Sequence, residues 1–305
     1  MGNRLKEARG CLAIPFTPFS EDGRIDEADL EREIEWIVGS QAAGIAVPMM
    51  VSEFSTLSEE ERKLMIRVSA QVNAGRRALI ANVAAPNALL AASYAQYAQD
   101  MGADAVIAMV PWDGALDQGG AADYFRAIAS SVTVPVILQN TKLGNGFFLS
   151  AESVAALCDE VPNLSWVKQE VPPAPLTLEK LGAMHAPGIE GIISGFGGFY
   201  TPYDYYGGAN ATISSCQFAA LIQKVWDFFF EGKEEEARHL HNRLLPSLQA
   251  ETVYGWKYGK EIMVLRGVLK NSACRNLTEP FSKNAMREIR YLFGRVEELE
   301  RRYLS

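Results

Sequence analysis

Short apolar segments rich in β-branched residues recur along the first two thirds of the chain, and they constrain the fold more than any other feature. Each is five to seven residues long, which suits a strand buried on both faces of a parallel sheet. A tight turn cannot join parallel strands, so each pair needs a longer crossover, usually a helix. The segments occupy residues 11–16, 44–48, 78–83, 104–110, 135–140, 164–169, 189–194 and 210–214.

The stretches between these segments are amphipathic or charged and have helical length. They occupy residues 27–40, 58–74, 88–102, 121–132, 150–161 and 176–185. Ser58 and Glu61 form a capping-box pattern before one of them, and Ser150 stands at a helix cap before another. Eight such strands followed by helices predict a TIM (β/α)8 barrel. A doubly wound open sheet is the alternative, but no Gly-x-Gly-x-x-Gly motif opens a helix after the first strand.

Beyond Cys216 the pattern changes, because helical segments follow one another with no strand between them. They occupy residues 218–232, 233–251, 259–271 and 282–303. The first completes the barrel as its eighth helix, and the others form an addition to it. We therefore predict a barrel over residues 1–230 and a C-terminal helical extension over residues 231–305, packed on the barrel.

Composition and charge exclude several classes of function. The chain of 305 residues carries 29 basic and 37 acidic residues, a net charge of −8, and no basic stripe, which argues against a nucleic-acid partner. It has no long apolar run and no signal-peptide pattern, so we expect no membrane association and a cytoplasmic location. The four cysteines are scattered, and His239 and His241 lie in a charged segment where we expect both to be solvated. These features predict a small-molecule substrate, with neither a metal nor a cofactor.

A lysine stands at the carboxyl end of the sixth predicted strand, the end where TIM barrels place their active sites. In an extended segment Lys168 and Glu170 face the same side, together with Trp166. A lysine buried in an apolar barrel mouth favours its neutral form, which can attack a carbonyl carbon to give a Schiff base. From spacing alone, a solvated ion pair between Lys168 and Glu170 remains the simpler alternative.

Five segments of the chain resemble the dihydrodipicolinate synthase/N-acetylneuraminate lyase family in order and spacing. They are residues 13–26, 52–62, 95–112, 135–140 and 166–170. The resemblance extends over nearly the whole chain and implies a TIM-barrel class I lyase that forms a Schiff base between Lys168 and a 2-oxo acid. It also implies a homo-oligomer, a tetramer or a dimer. The apolar residues Ile262, Val264, Leu265 and Val268 of the extension support an oligomer, since a closed barrel has limited need of them.

The chain departs from this family at two strand ends. Where members usually carry Gly-Thr-Thr-Gly-Glu after strand two, residues 49–53 are Met-Met-Val-Ser-Glu, so both threonines are absent. Where strand five usually ends in Tyr-Asn, it ends here in Gln139-Asn140, and glutamine cannot pass a proton as a phenol does. The arginine that dihydrodipicolinate synthases use for their second substrate falls near Gly144. Lysine biosynthesis is therefore disfavoured.

The same combination resembles the branch that contains L-2-keto-3-deoxyarabonate dehydratase. This implies dehydration of a 2-keto-3-deoxy sugar acid. Glu170 is the only carboxylate that strand periodicity puts beside Lys168, so we expect it to act as the acid/base in place of tyrosine. Retro-aldol cleavage that releases pyruvate and deamination of a cyclic imino acid are alternatives within the family. A barrel that binds a 2-oxo acid without catalysis is the alternative of another class, because the family's tyrosine and threonines are missing.

The remaining candidate residues have supporting roles. Gln139 is expected to orient a substrate hydroxyl or a water molecule. Ser52 can donate to the substrate carboxylate or cap its loop, and Glu53 can contact ligand or brace the loop. Trp112 is expected to form a pocket wall or a subunit contact. The predicted substrate-binding residues are Val51, Ser52, Glu53, Trp112, Ser194 and Gly195, the last two because glycine permits close approach of the backbone.

Overall fold

Eight parallel strands close into a barrel in the computed structural model, which describes residues 4–111, 116–142 and 147–304. The strands follow one another around the barrel in chain order, and the last pairs with the first. This is the predicted TIM barrel, and it rules out an open sheet. The strands are β1 (Gly10–Ile14), β2 (Gly44–Val47), β3 (Ala78–Asn82), β4 (Ala105–Met109), β5 (Val136–Asn140), β6 (Trp166–Gln169), β7 (Gly191–Ser194) and β8 (Ala211–Ser215).

Helices separate the strands and continue after the last of them. They are α1 (Arg4–Glu7), α2 (Glu27–Gly39), α3 (Glu59–Asn73), α4 (Ala88–Asp100), α5 (Gln118–Ser131), α6 (Ala151–Glu160), α7 (Ala174–Ala183), α8 (Thr201–Tyr206), α9 (Ala219–Phe230), α10 (Glu234–Tyr254), α11 (Trp256–Leu265) and α12 (Lys283–Tyr303). The predicted caps are confirmed, since Ser58 accepts from the Glu61 N–H and Ser150 from the Ser153 N–H. Among the described residues, no helix is both long and apolar enough to span a membrane.

The sequence prediction places every strand within two residues of its observed bounds. It extends β1 to residue 16, whereas the strand ends at Ile14 because Pro15 has no N–H for the ladder. It misses the short helix α8 between β7 and β8. With six residues, α8 is too short to show a helical period.

Alternate strand residues fill the barrel interior below the carboxyl ends of the strands. They include Leu12, Ile14, Ala46, Ile80, Ile107, Ile137, Trp166, Ile193 and Ile213. Gly191 lacks a side chain where the Trp166 ring needs the space, since a Cβ there would lie 2.3 Å from the indole. The interior below Lys168 is thus a packed core, and the open space lies above it.

The C-terminal helices pack their apolar faces against the rest of the chain. Ile262 is fully buried, Val268 is buried, and Val264 and Leu265 are partly buried against the same core. The chain itself covers these residues, so their apolar character does not require a partner subunit. The expectation of an oligomer then rests on the resemblance alone.

His241 on α10 is buried, so the expectation that it is solvated is wrong. Its Nε2–H donates to the carbonyl of Gly198, 2.9 Å away in the loop after β7. Burial lowers the pKa of His241, because the charged ring would lose solvation there. The contact holds the loop after β7 against α10.

A buried ion pair joins the loop after β2 to α11. Lys260 Nζ lies 2.6 Å from Glu53 Oε1, and both side chains are fully buried. The Lys260 ammonium also donates to the carbonyl of Ala273, and the Arg275 N–H donates to Glu53 Oε2. Glu53 has a left-handed backbone, with φ of 56°, so these contacts hold the loop in a conformation that is uncommon for a residue with a side chain.

Replacing Lys260 with methionine leaves a buried carboxylate without its cation. We expect Lys260→Met to lower the free energy of unfolding by about 3–5 kcal/mol, measured by urea denaturation. The matched control is Lys180→Met, which removes the exposed partner of Glu152 and should leave the midpoint nearly unchanged. Coincident unfolding curves for Lys260→Met and the unsubstituted protein would contradict this account.

Candidate active site

The pairing of β5 with β6 brings Gln139 and Lys168 side by side. The two residues are register partners across the parallel pair, so their side chains share the inward face. Glu170 lies just past β6, and its N–H donates to the carbonyl of Asn140, which carries the extended pairing one residue further. Lys168, Glu170 and Gln139 therefore meet at one point of the barrel mouth.

The Glu170 carboxylate is held on both oxygens. Lys168 Nζ lies 3.0 Å from Oε1, and Gln139 Nε2 donates to Oε2 at 2.7 Å. The side chains of Lys168 and Glu170 are only 5% and 11% exposed. A solvated strand-end ion pair would not be enclosed in this way, so the simpler alternative from spacing does not apply.

Gly195 makes room for this carboxylate. A Cβ on Gly195 would lie 2.0 Å from Glu170 Oε1 and 2.2 Å from its carboxyl carbon. A side chain at this position would therefore displace Glu170. The absence of a side chain at the end of β7 is thus a condition for the contact between Glu170 and Lys168.

Outward-facing side chains fix the ends of the same strands. The Asn140 amide donates to the Leu149 carbonyl and to Gln169 Oε1, and its oxygen accepts from the Leu149 N–H. Asn140 is buried, so these bonds form in a protected environment. They link the end of β5 to β6 and to the segment before α6.

Ser52 faces the protein and not the open space. Its hydroxyl donates to the Pro15 carbonyl at 2.6 Å and accepts from the Met49 N–H at 3.1 Å. The Thr17 hydroxyl donates to the Ser52 carbonyl. Of the two roles predicted for Ser52, this arrangement favours capping of its loop. The bonds of Glu53 to Lys260 and Arg275 likewise favour the bracing role.

A cavity of about 490 Å³ opens above Lys168 at the carboxyl ends of the strands. Five of the predicted site residues line it, whereas Ser52, Glu53 and Ser194 are not among its described lining residues. Trp112 lies outside the described residues. The lining predicted residues are Val51, Gln139, Lys168, Glu170 and Gly195.

Ser194 is turned into the protein at the end of β7. Its hydroxyl donates to Thr212 Oγ1 at 2.9 Å and hydrogen-bonds the buried Asp204 on α8. Burial raises the pKa of the Asp204 carboxyl to about 7. This arrangement ties α8 to β7 and β8, and the loop reaches the cavity through the residues that follow Ser194, beginning with Gly195.

Glu251 also lines the cavity, and no pattern in the sequence indicates this position. It lies on α10, outside the strand ends where barrel active sites are sought. The hydroxyl of Ser215 donates to its Oε2 at 2.7 Å, and burial raises the pKa of its carboxyl. Only the packing of α10 across the barrel mouth brings this residue to the site.

The arrangement provides a buried amine with one carboxylate in direct contact. The apolar walls include Met49, Met50, Phe196, Phe199, Leu248 and Trp256. The described residues include no cluster of side chains suited to hold a metal ion. A lysine in such a mouth can act as a nucleophile toward a carbonyl, with the adjacent carboxylate moving protons.

Comparisons with known proteins agree with this chemistry. A sequence profile of the Dihydrodipicolinate synthetase family matches residues 7–293. The 4-hydroxy-tetrahydrodipicolinate synthase of Mesorhizobium japonicum is 27% identical over 271 residues, which cover 86% of this chain and 92% of that protein. The L-2-keto-3-deoxyarabonate dehydratase of Azospirillum brasilense is 23% identical over 299 residues, 97% of this chain and 96% of that one.

A solved structure shows the same fold. The dihydrodipicolinate synthase of Acinetobacter baumannii, crystallised with pyruvate, superposes with a TM-score of 0.86 at 23% identity, covering 95% of this chain and 99% of that one. The family profile spans nearly the whole chain, which confirms the resemblance found in the sequence. The chain therefore belongs to the dihydrodipicolinate synthetase family and is a class I lyase of the Schiff-base type.

Proposed function

We propose that this lyase removes water from a 2-keto-3-deoxy sugar acid through an imine on Lys168. The observation that carries the proposal is the contact of Lys168 with Glu170, 3.0 Å apart in a mouth where Gln139 occupies the family's tyrosine position. A 2-oxo acid needs an amine to form the imine and one acid/base to move protons. Lys168 and Glu170 supply both.

Imine formation begins when the Lys168 ammonium gives a proton to Glu170. The neutral amine attacks C2 of the substrate, the C2 oxygen leaves as water with the proton returned by Glu170, and a C=N bond remains. The protonated imine withdraws electrons from C3 and makes its protons acidic. The contact of Nζ with Oε1 makes Glu170 the group best placed for these transfers.

Elimination follows on the same carboxylate. Glu170 takes a C3 proton, and the C3–H electron pair forms a C2=C3 bond as the imine nitrogen becomes neutral. The electrons then form C3=C4 as the C4–O bond breaks, and the hydroxyl leaves as water with the proton that Glu170 carried. One proton and one hydroxyl leave the substrate, and hydrolysis of the imine frees Lys168.

The substrate carboxylate is proposed to bind at the loop after β2. The family's threonine hydroxyls are absent there, and the Ser52 hydroxyl is already bonded to Pro15 and Met49. Met50 and Val51 line the cavity, and we propose their main-chain amides as the donors. This position gives Val51 its role as a substrate-binding residue.

Gln139 is proposed to position Glu170, because its amide donates to the carboxylate oxygen that Lys168 does not contact. The competing assignment gives proton transfer to a substrate hydroxyl or to an ordered water molecule held by Gln139 and Ser52. The commitment of the Ser52 hydroxyl to Pro15 disfavours it.

Retro-aldol cleavage and deamination of a cyclic imino acid use the same imine and remain competing outcomes. Synthesis of 4-hydroxy-tetrahydrodipicolinate is another, since relatives of 27% identity carry that name. The family's arginine position, near Gly144, lies outside the described residues.

We also propose a homo-oligomer, a tetramer or a dimer, on the resemblance alone.

A panel of 2-keto-3-deoxy sugar acids tests the reaction. We expect at least one five- or six-carbon member to lose water, followed by mass spectrometry of the product. Lys168→Met should abolish turnover because no other amine contacts Glu170 among the described residues. Release of pyruvate with an aldehyde, or of ammonia from an imino acid, would replace dehydration with the corresponding alternative. No product from any class would contradict the proposal.

Comparing variants of Glu170 and Gln139 tests which of the two residues is responsible for proton transfer. Glu170→Gln keeps the size of the side chain but cannot move a proton, so kcat should fall about 10²- to 10⁴-fold while imine formation is less affected. Gln139→Ala should be milder, because the carboxylate retains its contact with Lys168. The control is Glu179→Gln, the same change at an exposed position on α7, which should leave kcat unchanged. A mild Glu170→Gln with a severe Gln139→Ala would transfer the role to a water held by Gln139.

A further inference from the structure

Glu251 brings a second carboxylate to the cavity from a different wall. Gln139 and Lys168 stand on β5 and β6, whereas Ser215, the partner of Glu251, ends β8, with β7 between β6 and β8. The hydroxyl-bearing residues Ser214 and Thr252 line the same side of the cavity. The polar groups of the site therefore form two sets, one around the amine and one at the junction of β8 with α10.

Only one oxygen of Glu251 is committed to the protein. Ser215 Oγ donates to Oε2 at 2.7 Å, and Gln217 Nε2 donates to the same oxygen at 3.0 Å. No donor in the described part of the chain bonds to Oε1. The two bonds fix the orientation of the carboxyl group and leave one oxygen for a ligand in the cavity.

The charges on the cavity wall limit what can lie beside Glu251. The charged side chains among its described lining residues are Lys168, Glu170 and Glu251. The Lys168 charge is already paired with Glu170, and no arginine lines the described wall. An anionic group at the far end of a substrate would meet a carboxyl with no cation beside it, whereas a hydroxyl could donate to the free oxygen of Glu251.

We propose that Glu251 is the specificity residue that recognises the hydroxylated tail of the 2-oxo acid whose C2 reacts with Lys168. The tail it fits is an uncharged chain with at least one free hydroxyl beyond C3. The same carboxyl group discriminates against a 2-oxo acid with a second carboxylate. This inference rests on the proposed function, because it assumes that the substrate is anchored as an imine.

Borohydride trapping measures the recognition directly with a matched pair of ligands. A 2-keto-3-deoxypentonate and 2-oxopentanoate have the same chain length and differ in their hydroxyls. Adducts on the protein are counted by mass, whether they hold the acid or its dehydrated form. We expect trapping in the unsubstituted protein to reach half-saturation at about tenfold lower concentration with the hydroxylated acid than with 2-oxopentanoate. Glu251→Ala should lose this preference and still trap 2-oxopentanoate normally.

A second variant tests the charge on Glu251. Glu251→Gln retains hydrogen-bonding capacity and removes the negative charge, so we expect trapping of 2-oxoglutarate to improve at least about threefold. The control is Glu235→Gln, the same change at an exposed position of α10. It should alter neither the preference for the hydroxylated acid nor the trapping of 2-oxoglutarate.

The outcomes separate this inference from the proposed function. Failure of the unsubstituted protein to trap 2-oxopentanoate or pyruvate would overturn the proposed function and this inference with it. Normal trapping without a preference for the hydroxylated acid, or a preference that survives in Glu251→Ala, would overturn the role of Glu251 alone. Unchanged 2-oxoglutarate trapping in Glu251→Gln would also count against it.

Discussion

The contact between Lys168 and Glu170 is the constraint on which the rest of the site depends. Two opposite charges that are almost fully buried are stable only when each is held in place and hydrogen-bonded. Gln139 holds the second oxygen of the carboxylate, and Gly195 leaves the space that it occupies. In the reaction we propose, this one contact supplies both the nucleophile and the acid/base that imine chemistry requires.

The groups that hold the strand ends are separate from those that face the cavity. Glu53 and Lys260 fix the loop after β2, Ser52 caps it, and Asn140 ties β5 to the segment before α6. These side chains make buried hydrogen bonds and are not among the described residues that line the cavity. Such a shell keeps the side chains at the strand ends in position without competing for substrate.

Periodicity in the sequence was sufficient for the barrel, because strands buried on both faces produce continuous apolar runs. It also placed Lys168 and Glu170 on one side of β6, since the period of two continues past the strand. The buried position of His241 and the cavity position of Glu251 could not be predicted, because both follow from the packing of α10 across the barrel. The partner of Glu53, 207 residues away at Lys260, is likewise set by tertiary packing and leaves no local pattern.

The most direct test of this account is the site of imine formation. The protein is incubated with pyruvate, reduced with borohydride and digested, and its peptides are analysed by mass spectrometry. We expect one adduct on the peptide that contains Lys168, heavier than the free peptide by one pyruvate plus two hydrogens minus one water, and none in Lys168→Met. An adduct on a different lysine, or no adduct under conditions that trap a known member of the family, would contradict it.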